Sequence, residues 1–279
     1  TKTAPSEARF LICLPARFQY CLASILISVS CQTSIILLVK TNQLFLREVS
    51  LNGGQTLPAT EYPFSLPLLK KFKSLKFRSR ITCLVGENGS GKSTLMEAIA
   101  SNLGINPEGR NKNTRFATNE THSVLGNFLI CAKGARFPKE TFFLRAESFY
   151  NLATYVDSVG VALSFGGKSL HAQSHGEAFM SVLQNRLTGS GLYLLDEPEA
   201  ALSPLRQLSA LSTINALAKN GAQFIIATHS QILMAHPLAD ILLLSNTGIT
   251  RTPYKETEHY KVTRDFLTRT ETMLNNLLD

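Results

Sequence analysis

One octapeptide constrains this chain more than any other part of it. Gly86-Glu-Asn-Gly-Ser-Gly91-Lys92-Ser93 follows the apolar run Ile81–Val85 and opens Lys92–Leu103, whose apolar residues recur at helical spacing. Strand, glycine-rich turn and helix start, in that order, build a cradle for polyphosphate. Glycines let successive backbone N–H groups curl around an anion, and the helix N-terminus adds positive potential. Gly86, Glu87, Asn88, Gly89, Ser90 and Gly91 would supply that backbone. Lys92 would reach the β- and γ-phosphates of ATP, the Ser93 hydroxyl would ligate Mg²⁺, and Thr94 lies beside it.

The surrounding text is that of an α/β protein. Strands are expected at Leu44–Val49, Ile81–Val85, Asn127–Cys131, Thr141–Ala146, Leu192–Leu195, Gln223–Ala227 and Asp240–Leu244. Helices are expected at Lys92–Leu103, near Phe149–Val156 and Glu177–Leu187, at Pro204–Lys219 and Gln231–Ala235, and over about Tyr260–Leu278. Tyr62-Pro63-Phe64 and Pro67 mark a turn-rich loop. Alternating strands and helices predict a mostly parallel sheet covered on both faces.

Two further strands end in chemistry. The run Leu192–Leu195 delivers Asp196 and Glu197 at its C-terminal end, where open parallel sheets bind ligands. Asp196 would hold Mg²⁺, directly or through water. Glu197 would act as general base on the attacking water. A strand that simply meets solvent with two acids would look the same in isolation. His229 follows Gln223–Ala227 and could contact the γ-phosphate, although a lone strand-end His is usually structural.

Order and spacing then bring in a resemblance. Gly86–Ser93, Ser174-His175-Gly176-Glu177, Asp196-Glu197-Pro198, Ala200-Ala-Leu-Ser203 and His229 resemble the Walker A loop, signature, Walker B with catalytic Glu, D-loop and switch His of ABC-class ATPases. The resemblance spans about residues 44–250 and is strongest to small stand-alone ATPases with a Ser-His-Gly-Glu signature. It implies a three-layer P-loop NTPase fold with a mostly parallel central sheet and a small helical subdomain. It also implies an ATP-dependent homodimer in which the Walker A loop of one protomer faces Ser174 and the Gly176 N–H of the other. His175 stands where the class usually has Gly, and Glu177 where it often has Gln. The class couples Mg²⁺ to the helical subdomain through a polar strand-end residue, for which Glu147 is the candidate. Tyr62 is the candidate for stacking on adenine, with Phe45 and Phe64 competing.

The charge supports no polyanion coat over this engine. The net +8 lies wholly before residue 81: residues 1–80 hold eleven bases and three acids, and residues 81–279 hold 17 of each. Six of those bases fall between Lys70 and Arg80, a solvated loop and strand edge or a phosphate contact. Residue 1 is Thr and the first Met is Met96, so residues 1–43 are expected to be an extension of uncertain origin. Phe18–Val39 is 22 residues without a formal charge, long enough to cross a bilayer. Seven of the 22 are Ser, Gln or Thr, which makes membrane contact there a poor fit. The expected organisation is therefore residues 1–43, an ATPase domain at 44–250 and a C-terminal helical segment at 251–279, in the cytoplasm or, alternatively, peripheral to a membrane. A P-loop kinase needs no signature or switch His. The 82 residues from Lys92 to Ser174 leave no room for the long coiled-coil arms of chromosome-maintenance ATPases. A transporter motor subunit and a repair or defence switch both remain open, so the protein or nucleic-acid partner is not named by the sequence.

Overall fold

The chain divides into two compact units, Thr1–Lys40 and Thr41–Asp279. The computed structural model describes residues 43–54, 58, 60–105, 121–147, 149, 153–154, 156 and 169–278, all within the second unit. The Phe18–Val39 stretch and half of the residues of the helix expected near Phe149–Val156 lie outside the described residues. No helix among the described residues is long and apolar enough to cross a membrane.

Among the described residues, nine strands form two sheets. β1 (Leu46–Leu51), β2 (Ser74–Lys76) and β4 (Leu129–Lys133) make an antiparallel sheet in the order β2-β1-β4. The other six run in the order β5-β6-β7-β3-β8-β9: β3 (Ile81–Val85), β5 (Glu140–Arg145), β6 (Gly191–Asp196), β7 (Gln223–Ala227), β8 (Ala239–Ser245) and β9 (Gly248–Arg251). Five of these are parallel, and only β9 at the edge is antiparallel. All residues of β3, β6 and β7 are buried, as expected for central strands covered on both faces.

Alternation along the strands sorts the core into two layers. Leu192, Leu194, Ile225 and Ala227 pack with Leu95, Met96 and Ile99 of α2 (Lys92–Leu103). Tyr193, Leu195, Phe224 and Ile226 point the other way, against Ala210, Ile214 and Ala218 of α5 (Pro204–Lys219). The second layer also takes Ala178 and Phe179 of α4 (His175–Ser181), which continues as a π-helical turn over Val182–Arg186. Each large side chain so buried contributes about 1.5–3 kcal/mol. A buried amide joins the two sheets: Gln223 Oε1 accepts from the Phe45 and Leu46 N–H groups at 2.8 and 2.9 Å, and its Nε2 donates to the Leu46 carbonyl at 2.8 Å.

The remaining helices are α1 (Pro67–Lys71), α3 (Thr121–Asn127), α6 (Gln231–Met234), α7 (Glu258–Thr268) and α8 (Thr270–Leu278). Two departures from the sequence reading have local causes. The strand expected at Asn127–Cys131 starts two residues later because α3 runs to Asn127. The terminal helix breaks at Arg269, whose ψ of 38° leaves the helical region. Neither α7 nor α8 buries a residue fully, and α7 meets α6 through the His259 carbonyl and Thr263.

Candidate functional site

Strand register assembles the site. Leu84 of β3 lies opposite Ala227 of β7, and Ala227 opposite Asp196 of β6. The C-terminal ends of three parallel strands therefore form one row, and the loops leaving them emerge at one edge. After β3 comes the Gly86–Ser93 loop, after β6 comes Glu197, and after β7 come Thr228 and His229.

The loop has no room for side chains at its base. A Cβ on Gly86 would stand 2.4 Å from the Leu244 carbonyl oxygen, which is backbone and cannot yield. Gly89 and Gly91 have φ of 78° and 92°, a left-handed conformation that glycine adopts at little cost. Glu87, Asn88 and Gly89 are exposed on the crest of the loop. Lys92 is buried, and its Nζ donates to the carbonyls of Gly86 at 2.8 Å and Glu87 at 3.0 Å. Burial lowers its pKa from the ordinary lysine value; Glu197, Asp196 and Glu199 act in the opposite sense. The α2 N-cap is Gly91, so no side chain caps the first-turn N–H groups. Ser90 Oγ is buried with no partner among the described residues. Open amides and an orphaned hydroxyl around a lysine suit a phosphate group.

Ser93 and Asp196 are in contact. Ser93 Oγ donates to Asp196 Oδ1 at 3.1 Å. A hydroxyl and a carboxylate oxygen side by side are the hard donors that Mg²⁺ takes, with water and phosphate oxygens completing its shell. Burial raises the Asp196 pKa, while Arg145 and Ser93 oppose the shift. Glu197 has φ 49° and ψ 51°, the single non-glycine residue at positive φ among the described residues. Its N–H donates to the Ala227 carbonyl at 2.9 Å. Its Oε1 lies 3.8 Å from His229 Nε2, so the two acid–base candidates face each other.

Other candidates lie elsewhere. Ser174 Oγ accepts from the Glu177 N–H at 3.4 Å while Glu177 Oε2 accepts from the Ser174 N–H at 3.1 Å, a reciprocal cap on α4. Gly176 is buried: a Cβ there would meet the Ala201 carbonyl oxygen at 2.8 Å. No bond among the described residues joins Ser174 or Gly176 to the loop. The His175 ring packs edge-on to Phe149, centroids 5.2 Å apart. Tyr62 is 49% exposed and its hydroxyl lies 2.9 Å from Thr94 Oγ1. Phe45 and Phe64 are core residues, 2% and 3% exposed, with no face to offer a base. Glu147 is exposed, and the strand-end contact falls instead to Arg145.

Sequence reasoning missed four side chains. Arg145 donates through Nε to Asp196 Oδ2 at 2.9 Å and pairs with Glu97 Oε1 at 2.5 Å. Glu199 accepts from Thr228 Oγ1 at 2.7 Å and the His229 N–H at 2.5 Å. Arg206 reaches Ser174 Oγ at 3.3 Å and Glu177 Oε1 at 3.0 Å. His259 Nε2 lies 2.9 Å from His229 Nδ1. An arginine closing the apolar run Phe142-Phe-Leu144 is a signal for the first; the others are brought in by packing.

Residues 65–147 match the family model of the AAA domain. Residues 177–235 match a second, described as "AAA domain, putative AbiEii toxin, Type IV TA system". A Pyrococcus furiosus protein named "Putative ABC transporter ATP-binding protein" is 31% identical over 66% of this chain and 76% of its own length. The chain belongs to the ABC-class P-loop ATPases. A hemin import ATP-binding protein of Pseudomonas fluorescens is 30% identical over 58% of this chain and 71% of its own. Among solved structures, a Clostridium perfringens subunit of an ABC transporter complex matches with TM-score 0.43 and 17% identity, covering 85% of this chain and 100% of its own. The AAA-domain span takes in the whole Gly86–Thr94 stretch of this ABC-class ATPase, and the second span takes in Asp196, Glu197 and His229; Ser174 and Gly176 fall outside both.

Proposed function

We propose that this ABC-class ATPase binds Mg·ATP in the Gly86–Thr94 loop and hydrolyses it to ADP and phosphate. The observation that carries this reading is the aligned row of strand ends, which sets Lys92, Ser93, Asp196, Glu197 and His229 along one edge of the sheet. Lys92 would turn from the loop carbonyls to the β- and γ-phosphates. Mg²⁺, held by Ser93 and Asp196, would neutralise phosphate charge. Glu197 would take a proton from water, whose oxygen attacks the γ-phosphorus as the bond to the β–γ bridging oxygen breaks. His229 would present Nε2 to the γ-phosphate, and Tyr62 would stack on adenine. Closure of two protomers around two ATP molecules would bring Ser174 and the Gly176 N–H of one onto the nucleotide of the other.

Dimer closure would do work on a protein or nucleic-acid partner. The names of the relatives, an ABC transporter ATP-binding protein and a hemin import ATP-binding protein, favour the motor subunit of a transporter. The description of the second family model keeps a defence switch as the alternative. Phosphate release and nucleotide binding test the core reading together. Glu197→Gln is expected to retain ATP and lose turnover by ~10²–10⁴, the usual worth of a general base. Lys92→Ala is expected to lose ATP binding. Wild-type turnover in the first, or unchanged affinity in the second, contradicts the assigned roles.

A further inference from the structure

His229 has two ring nitrogens with two different neighbours. Nε2 faces the Glu197 carboxylate at 3.8 Å and has no hydrogen-bond partner among the described residues. Nδ1 lies 2.9 Å from Nε2 of His259, at the start of α7, with ring centroids 5.1 Å apart. The start of α7 is itself held in place. Thr257 is buried and caps the helix by accepting from the Tyr260 N–H at 3.3 Å, while donating to the Tyr254 carbonyl at 2.7 Å. Gln231 of α6 donates to Thr263 Oγ1 at 2.9 Å and to the His259 carbonyl at 3.4 Å. His259 is thus fixed against the helix just after His229.

We propose that His259 is a positioning residue for the phosphate-sensing imidazole: it donates from Nε2–H to His229 Nδ1 and so fixes His229 as the Nε2–H tautomer. The inference rests on the ATPase reading above and deepens it. A carboxylate only accepts, and phosphate oxygens only accept, so the useful form of His229 carries its proton on Nε2. Nδ1 is then the acceptor, and the hydrogen bond between the rings has to come from His259. The groups around the pair favour two neutral rings. Burial lowers both pKa values, and Lys92 adds to this for both, as does His229 for His259; Glu197 opposes the shift at His229, and Glu258 and Glu199 oppose it at His259. Fixing a tautomer through the far nitrogen is the usual way a protein sets which imidazole nitrogen does chemistry. Here that control comes from the C-terminal segment, so displacement of α7 would release the sensor.

Long-range ¹⁵N–¹H correlation spectra of the full chain report imidazole tautomers directly and need no turnover. At pH about 8, His229 of the wild type is expected to give the Nε2–H pattern. His259→Leu is expected to give a mixture of tautomers and to lower kcat about tenfold, the scale of one hydrogen bond, with KM for ATP changed by less than about twofold. His259→Gln keeps an amide donor and is expected to restore both the tautomer and turnover to within about twofold of wild type. An unchanged His229 tautomer in His259→Leu overturns the proposal, as does equal loss in the Leu and Gln variants. A wild type that shows the Nε2–H pattern without hydrolysing ATP leaves the pair standing and overturns only the ATPase reading.

Discussion

His236 is 5% exposed; its Nδ1 accepts from the Leu238 N–H at 3.1 Å, and its Nε2 has no partner among the described residues. A ring that accepts at Nδ1 is neutral, and charging it would put a proton where the Leu238 N–H already points. Burial lowers its pKa below the ordinary histidine value, with Lys219 adding to the effect. The unfolded chain therefore takes up this proton first as pH falls through about 6.5. The contribution of His236 to stability is full above that pH and is lost as pH falls toward the depressed folded-state value. Melting temperatures between pH 7.5 and 5.5 should fall more steeply in the wild type than in His236→Asn, whose Oδ1 can keep the acceptor. Parallel slopes would show that His236 is charged in the fold. At the same scale, Lys92, Ser93 and Asp196 were legible as candidates, because loop and strand end each carry their chemistry in consecutive residues. Glu199, Arg206 and His259 were not, because each owes its role to a partner 29 to 32 positions away in the chain.

Among the elements, α4 carries the proposed signature and has no room for a side chain at Gly176. Its N-terminus rests on the Ala201 carbonyl and Arg206 across the buried Gly176. In Gly176→Ala the methyl group would stand 2.8 Å from a backbone oxygen and 2.6 Å from Arg206 NH1. The helix end must shift, at a cost of about 1–3 kcal/mol for overpacking. ATP binding by the monomer should survive, since the loop is untouched, while ATPase activity should fall as the Gly176 N–H leaves its place. Full activity in that variant would remove Gly176 from the site. Most buried elements were legible: β3, β7, α2 and α5 have the bounds that their apolar pattern predicts. β2 and β9 were not, because three- and four-residue edge strands, Ser-Leu-Lys and Gly-Ile-Thr-Arg, carry too little alternation to register. The basic cluster shows the same limit. Lys70, Lys71, Lys73, Lys76 and Arg78 are exposed positions of a segment that buries Phe72, Leu75 and Phe77, and Arg80 is drawn in to the Gly221 carbonyl. Five of the six are exposed, which fits a solvated loop and strand edge and a phosphate contact alike.

At the scale of the whole ATPase unit, the parallel sheet gathers three loops along one edge, and no bond among the described residues joins Ser174 or Gly176 to the first of them. On the proposed reading, a single protomer would offer the nucleotide the Gly86–Ser93 loop, Asp196, Glu197 and His229, and would leave Ser174 to a second copy. In the dimer proposed above, a second copy would complete the site, which makes the assembly state the deciding quantity. Light scattering on size-fractionated Glu197→Gln, with and without Mg·ATP, measures it most directly. The 30.6 kDa chain is expected to run as a monomer without nucleotide and to double in mass with Mg·ATP, because ATP is held and not turned over. A strictly monomeric profile with ATP bound would contradict closure of two protomers around the nucleotide.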